Sequence, residues 1–155
     1  MKPLFSVQLL GAGDVNLLRS LLAVFAEAFE DPASYLDRQP SDEYLTDLLS
    51  SRTFVAAAAI EESSVIGGLA GYVLPKFEQA RSEFYIYDLA VAAPHRRKGV
   101  ATALIENVCS VVAKRGVYVT FVQADYGDDA AIALYTKLGS REDVMHFDIA
   151  PPRPA

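Results

Sequence analysis

The order of apolar runs constrains the fold of this 155-residue chain more than any other feature of its sequence. Two extended runs, at residues 53–60 and 65–74, are separated by only four polar residues, which predicts an antiparallel hairpin. The elements after the hairpin alternate between strand and helix patterns, at residues 83–91, 99–115, 117–124, 129–138 and 144–149. A hairpin followed by the element order β-α-β-α-β indicates a mixed α/β or α+β domain.

The first fifty residues predict two helices. Apolar side chains recur at helical spacing from Leu18 to Phe29, and Asp14 stands at an N-cap position, so a helix is expected over residues 15–29. A shorter helix is expected over residues 41–49. Prolines at positions 32 and 40 mark turns between the two helices, because the residue before a proline is disfavoured in helical conformation.

Length and charge limit the function classes. We expect one domain over residues 1–150 and a proline-rich tail over residues 151–155. The formal charge of −6 argues against a nucleic-acid groove, which needs a basic surface, and permits a cationic partner. Cys109 is the sole cysteine, and His95 and His146 lie far apart, so neither a disulfide framework nor a clustered metal site is expected.

The sequence offers no targeting or membrane-spanning segment. The first eight residues break their apolar run too early for a signal peptide, and the longest apolar stretch, residues 54–60, is far shorter than a bilayer requires. We therefore expect a cytoplasmic protein with no membrane partner.

A basic segment precedes the long helix expected at residues 99–115. It comprises Arg96, Arg97, Lys98, Gly99, Val100, Ala101 and Thr102. Unpaired backbone N–H groups at a helix N-terminus attract anions, and Gly99 would let a phosphate approach closely. Basic side chains are unfavourable at the positive end of the helix dipole, so their presence here suggests a bound anion such as a pyrophosphate. The alternative is a solvated basic turn. Two common nucleotide-binding glycine motifs are absent, so kinase and dehydrogenase functions lose support.

Asp88 is a candidate general base. Its neighbours in residues 84–91 are all apolar or aromatic, so its carboxylate must be hydrogen-bonded or have its pKa raised by burial. The alternative is a structural Asp that accepts hydrogen bonds from backbone donors at a strand bend. Glu83, at the start of the same run, is a weaker candidate.

Three carboxylates, Asp125, Asp128 and Asp129, follow a predicted strand, and Tyr126 lies among them. Ligands of open α/β sheets bind beyond the carboxyl ends of strands, so this cluster could bind a polyamine or another cation. The alternatives are a solvated acidic loop and, for Asp129, an N-cap. Tyr135 falls on the apolar stripe of the next helix, where a core tyrosine is the default interpretation; as chemistry, its phenol could protonate a leaving thiolate.

The order of elements, with Arg96-x-x-Gly99-x-Ala101 and residues 133–139, resembles the GNAT acetyltransferase family over most of the chain. Four blocks, at residues 72–79, 85–91, 122–129 and 145–148, resemble the class I aminoglycoside 3-N-acetyltransferases, the gentamicin- and fortimicin-modifying enzymes. Ala130 departs from this pattern, which has a proline there.

The resemblance implies the GNAT fold: a mostly antiparallel, twisted sheet with helices on both faces, splayed between strands 4 and 5 to hold acetyl-CoA. Backbone groups of Leu89, Ala90 and Val91 would contact the acetyl and pantetheine part, and residues 96–102 would hold the pyrophosphate. Tyr135 would contact the cofactor and protonate its sulfur. The residues implied to bind a polycationic aminoglycoside are Glu83, Asp88, Asp125, Tyr126, Asp128 and Asp129. A homodimer is also implied.

The implied reaction is direct transfer of acetyl to the 3-amine of the 2-deoxystreptamine ring, with Asp88 removing the proton directly or through a water. Backbone N–H groups near Val91 would stabilise the oxyanion, and antibiotic resistance would be the outcome. Two alternatives stay open. One is a GNAT enzyme acting on polyamines or protein amino termini, and the other is a CoA- or cation-binding module without turnover.

Overall fold

A computed structural model describes residues 4–155 of the chain. The backbone contacts group the chain into two compact units that meet in sequence between Gln123 and Ala124. Among the described residues, the first unit holds five strands and four α-helices, and the second holds one α-helix. None of the helices in residues 4–155 has both the length and the hydrophobicity needed to cross a membrane.

The strands of the first unit are β1 (Ser6–Leu9), β2 (Phe54–Glu61), β3 (Ser64–Pro75), β4 (Ser82–Val91) and β5 (Val117–Val122). Its helices are α1 (Val15–Ala28), α2 (Pro32–Tyr35), α3 (Asp42–Ser50) and α4 (Val100–Ala113), with a 3₁₀ turn at Ala93–His95. The second unit contains α5 (Asp129–Leu138).

The five strands form one sheet in the order β1-β2-β3-β4-β5, antiparallel except for the parallel pair β4–β5. Pairing of β4 with β5 begins at Ser82 and ends where Ile86 meets Val122. The end of β4 continues past the last β5 pair, and its residues 88–91 stay paired with β3. The mostly antiparallel sheet that separates between strands 4 and 5 confirms the predicted fold class.

Helices cover both faces of this sheet. The helices α1 and α3 bury Leu21, Phe25 and Leu45 against Ala56 and Ala58 of β2. Alternate strand residues point to opposite faces, and α4 packs on the second face with its own buried stripe. That stripe is Val100, Leu104, Ile105, Val108 and Val112.

The close approach of α1 to the sheet depends on Gly68 of β3. A Cβ at this position would lie 2.7 Å from the Ala57 carbonyl oxygen and would collide with the Leu21 side chain. Glycine therefore lets an apolar helix lie directly on the strand backbone.

The structure differs from the sequence prediction in three elements. The strand β1 and the helix α2 were not predicted; each has four residues, too few to show a period. The strand predicted at residues 144–149 is wrong, because these residues carry no regular secondary structure. An alternating sequence forms a strand only where a neighbouring strand supplies backbone hydrogen bonds, and none pairs with these residues in the described part of the chain.

Candidate active site

The N-terminus of α4 is shaped for an anion. Gly99, its N-cap, is left-handed with φ of 80°, and no atom lies within 4 Å of the position that a Cβ would take. The side chains provide no cap for the first turn. Arg97 also has a positive φ, 61°, which is strained for a residue with a side chain. An open, uncapped helix N-terminus preceded by a left-handed bend fits a phosphate group.

The basic side chains beside this turn have no acidic partner. Among the described residues, no carboxylate forms an ion pair with Arg96, Arg97 or Lys98, and all three are exposed. Arg96 Nε donates to the Val91 carbonyl at 2.9 Å, which ties this cluster to the end of β4. Unneutralised cations at the positive end of a helix favour the anion-site interpretation over a solvated turn.

Leu89, Ala90 and Val91 lie in the part of β4 that β5 does not cover. On one side they pair with Leu69, Gly68 and Gly67 of β3. On the other side the sheet is open, so backbone groups at this end of β4 can bind a ligand. A cleft of about 450 Å³ lies beside this end, lined by Val24, Glu27, Ala28, Glu30, Ala92, Ala93 and Arg96.

Asp88 lies at a bulge in β4. Ala70 of β3 pairs with Asp88 while Gly71 pairs with Ile86, so Tyr87 is an extra residue. The partly buried Asp88 carboxylate accepts a hydrogen bond from Tyr35 Oη at 3.0 Å. Burial raises the pKa of Asp88, and the bond from Tyr35 lowers it. The partner is thus a tyrosine hydroxyl, whereas the structural alternative had expected backbone donors.

A row of aromatic side chains runs across the sheet from β2 to β5. Their ring centroids are 5.5 Å apart for Phe54–Tyr72, 5.8 Å for Tyr72–Tyr87, 5.6 Å for Tyr85–Tyr87 and 4.7 Å for Tyr85–Phe121. We call these five residues the aromatic row. Burial raises the pKa of Tyr72 and Tyr85, and the Asp88 charge contributes to both shifts, which places the carboxylate near the row. Tyr87 remains 63% exposed and presents its ring to solvent.

Glu83 lies apart from this group. It is five residues before Asp88 on β4, which corresponds to roughly 16 Å along a strand. Its carboxylate accepts a hydrogen bond from Tyr118 Oη at 2.7 Å and lies 3.9 Å from Lys76 Nζ. These partners already satisfy the Glu83 charge.

The second unit contains the other predicted acidic residues. Asp128 is the N-cap of α5, with its side chain accepting from Ala131 N at 3.2 Å. The prediction that Asp129 is this cap is therefore wrong, because α5 begins at Asp129 and the preceding residue supplies the oxygen. Asp125 and Asp129 are exposed. Tyr126 Oη donates to Asp143 Oδ1 at 3.1 Å.

Tyr135 is a partly buried residue of α5. Burial raises the pKa of its phenol, and the Asp128 charge raises it further. The hydroxyl therefore stays protonated at neutral pH and is a hydrogen-bond donor.

Tyr35 is the residue of this site that the sequence prediction missed. It lies 53 positions from Asp88, in a one-turn helix within a segment predicted as turns. The one signal in the sequence was Asp31-Pro32, an N-cap followed by a proline at the first helical position. That signal predicts a helix start but gives no indication of what the tyrosine would contact.

Comparisons with known proteins agree with the geometry. The model of the acetyltransferase (GNAT) family matches residues 18–140. An aminoglycoside acetyltransferase, HMB0005, from an uncultured soil metagenomic sample is 53% identical over 96% of this chain and 99% of its own, with a TM-score of 0.93. A second soil enzyme, meta-AAC0020, solved in complex with sisomicin, is 29% identical over 96% of this chain and 97% of its own, with a TM-score of 0.87.

A curated relative is more distant. The ribosomal protein bS18-alanine N-acetyltransferase of Escherichia coli K12 is 32% identical over 69 residues, 44% of this chain. The match spans about half of that relative, 47% of its length. Members of the family take the acetyl group from acetyl-CoA. The family match over residues 18–140, on a sheet that opens after Ile86, shows that this chain belongs to the GNAT acetyltransferase family.

Proposed function

We propose that this protein is an aminoglycoside 3-N-acetyltransferase whose action confers resistance to aminoglycoside antibiotics. The observation that carries the proposal is the partly buried Asp88 carboxylate beside the aromatic row, on a GNAT sheet. The two soil relatives, one of them solved with sisomicin, support the aminoglycoside class. The choice of the 3-amine rests on the resemblance of the four sequence blocks.

The chemistry of the sheet face suits a polyamine sugar. Tyrosine rings attract ammonium groups through their π faces, and Tyr87 and Tyr72 present such faces, 63% and 38% exposed. The Asp88 carboxylate adds a negative charge to the same face when it is ionised. The protein's net charge of −6 further attracts a cationic substrate.

Asp88 is proposed as the general base. An amine that arrives as an ammonium ion must lose a proton before it can attack a carbonyl carbon. Burial raises the pKa of Asp88 above that of an ordinary aspartate, which makes its carboxylate a better proton acceptor.

Bound acetyl-CoA would supply the acetyl group as a thioester. In this proposal, Arg97, Lys98 and the first-turn N–H groups of α4 hold its pyrophosphate. Backbone groups of residues 89–91 align the reacting end through the open side of β4. Tyr135 protonates the leaving sulfur, a role that rests on the resemblance together with the protonated state of its hydroxyl.

The test is release of free thiol from acetyl-CoA by the purified protein with gentamicin, fortimicin, kanamycin, spermidine and a peptide with an N-terminal alanine. We expect release with gentamicin or fortimicin, and NMR of the product would then identify the acetylated amine. Acetylation at any position other than the 3-amine would contradict the proposed regiochemistry.

A protein amino terminus is the second candidate substrate, and the match to the bS18-alanine acetyltransferase favours it. Release with the alanine peptide and with none of the aminoglycosides would replace the proposed function with this one.

A further inference from the structure

Tyr35 is held over Asp88 by the segment between α1 and α3. Its ring packs against Phe25 and Phe29 of the α1 region, with centroids 5.9 and 5.7 Å away. The Tyr35 carbonyl accepts a hydrogen bond from Gln39 Nε2 at 3.1 Å, and Arg19 Nη1 donates to Gln39 Oε1 at 2.6 Å. Ring packing therefore fixes the Tyr35 side chain, and the hydrogen bonds through Gln39 to Arg19 fix its backbone.

The one-turn helix α2 is itself fixed at its start. Asp31 Oδ1 accepts from Ser34 N at 3.1 Å, and Pro32 occupies the first helical position, where its fixed φ suits a helix. A short helix with a capped start directs the Tyr35 hydroxyl toward β4, and that hydroxyl makes its 3.0 Å bond to Asp88 Oδ1. The second oxygen of the carboxylate is left for another partner.

We infer that Tyr35 is a positioning residue that orients the Asp88 carboxylate and favours its ionised form, leaving one oxygen to take the substrate proton. This inference rests on the proposed role of Asp88 as the base. A hydroxyl that donates to one carboxylate oxygen stabilises the charged form and fixes the plane of the group.

The charges around the pair support this arrangement. Burial is the largest cause that raises the pKa of Tyr35, followed by the Asp88 charge, so the hydroxyl remains a donor at any working pH. The titratable groups that face the pair are Asp31 near α2, Tyr72 of β3, and Tyr85 and Tyr87 of β4. On the α1 side Phe25 packs against the Tyr35 ring, and the charged residues Glu27 and Glu30 line the cleft beside the end of β4 together with Arg96. In the described part of the chain, Tyr35 is the sole hydrogen-bond donor to the Asp88 carboxylate.

The test is Tyr35→Phe, which keeps the ring and removes the hydroxyl. We expect the Asp88 pKa, followed by the carboxyl ¹³C shift in NMR of the free protein, to rise by roughly half to one unit. The acidic limb of the kcat/KM profile for gentamicin acetylation should move to higher pH by the same amount. The loss of activity would then be large below the limb and small above it, a pattern that a structural defect would not produce.

The matched control is Tyr44→Phe, the same change at a 59% exposed tyrosine of α3 whose hydroxyl makes no hydrogen bond to any of the described residues. It should move neither the Asp88 pKa nor the profile. An unchanged Asp88 pKa in Tyr35→Phe would overturn the inference. A raised Asp88 pKa in a protein that acetylates no aminoglycoside would instead support the effect of Tyr35 on Asp88 and overturn the proposed function, because the NMR titration needs no substrate.

Discussion

At the scale of single residues, Asp88 shows how burial and one hydrogen bond act in opposite directions on a carboxylate. Burial disfavours the charge and the Tyr35 bond favours it, and burial is the larger effect, so the pKa of Asp88 lies above its usual range. The apolar neighbours of Asp88 in sequence predicted a hydrogen-bonded carboxylate or one whose pKa is raised by burial, but they did not predict that Tyr35 would be the donor. The neighbours indicated that the carboxylate would be perturbed, and the fold decides by which groups.

Replacing Asp88 by asparagine should remove the general base and keep the local structure. The amide oxygen that Asp88→Asn introduces can still accept from Tyr35, so the fold should be retained. We expect kcat with gentamicin to fall by about 100-fold or more, the range of a lost general base, while the affinity for CoA is unchanged. Steady-state kinetics and calorimetry measure the two quantities. Asp47→Asn, the same change at an exposed position of α3, should leave kcat intact, and full activity of Asp88→Asn would remove the assignment.

The raised pKa of Asp88 also predicts how stability depends on pH. Since the folded state holds the Asp88 proton more tightly than the unfolded state, its contribution to the free energy of unfolding is present below the unfolded pKa of about 3.9 and is lost as pH rises through the folded value. Asp88→Asn stays uncharged at every pH. Its melting temperature should exceed that of the wild type at pH 8, and the difference should shrink toward zero as pH falls below about 3.9. A variant that is less stable than the wild type at pH 8 would contradict a carboxylate destabilised by burial.

At the scale of elements, the sequence predicted the helices and strands whose apolar residues repeat at a regular spacing. The long helices α1 and α4 and the hairpin β2–β3 lie within a few residues of their predicted positions, because each repeats its apolar pattern over several turns or pairs. The four-residue α2 has no such repeat, and its importance depends on a contact with β4. The strand predicted at residues 144–149 has the right alternation, but no partner strand forms a ladder with it in the described part of the chain.

The α4 N-terminus yields a prediction for cofactor binding. Gly99 and Gly116 flank the two ends of α4, have φ of 80° and 90°, and have no atom within 4 Å of a Cβ position. Alanine at either site should lower stability by about 1 kcal/mol through left-handed strain. Only Gly99→Ala should also weaken binding of CoA, by about tenfold, because its methyl group would enter the space proposed for the pyrophosphate. Calorimetric titration compares the variants, and equal CoA affinities would place the pyrophosphate elsewhere.

At the scale of the whole molecule, the second unit exposes an unusual apolar segment. Val144, Met145, Phe147 and Ile149 lie between 70% and 91% exposed. Exposed groups of large apolar side chains commonly mark interfaces. Four such side chains from each of two copies would bury on the order of 1,000 Å², close to the lower range of stable interfaces.

We therefore expect the protein to form a homodimer through residues 144–149. The double variant Phe147→Ser, Ile149→Ser should shift the molar mass in light scattering from dimer toward monomer, because it removes the two largest apolar contributions near the end of the segment. Phe77→Ser is the matched control, since Phe77 is fully exposed but lies in the turn between β3 and β4, away from this segment in sequence. A wild-type chain that remains monomeric at high concentration would contradict the assignment. A double variant that remains dimeric would place the interface on another surface, and the exposed apolar segment would then need a different partner.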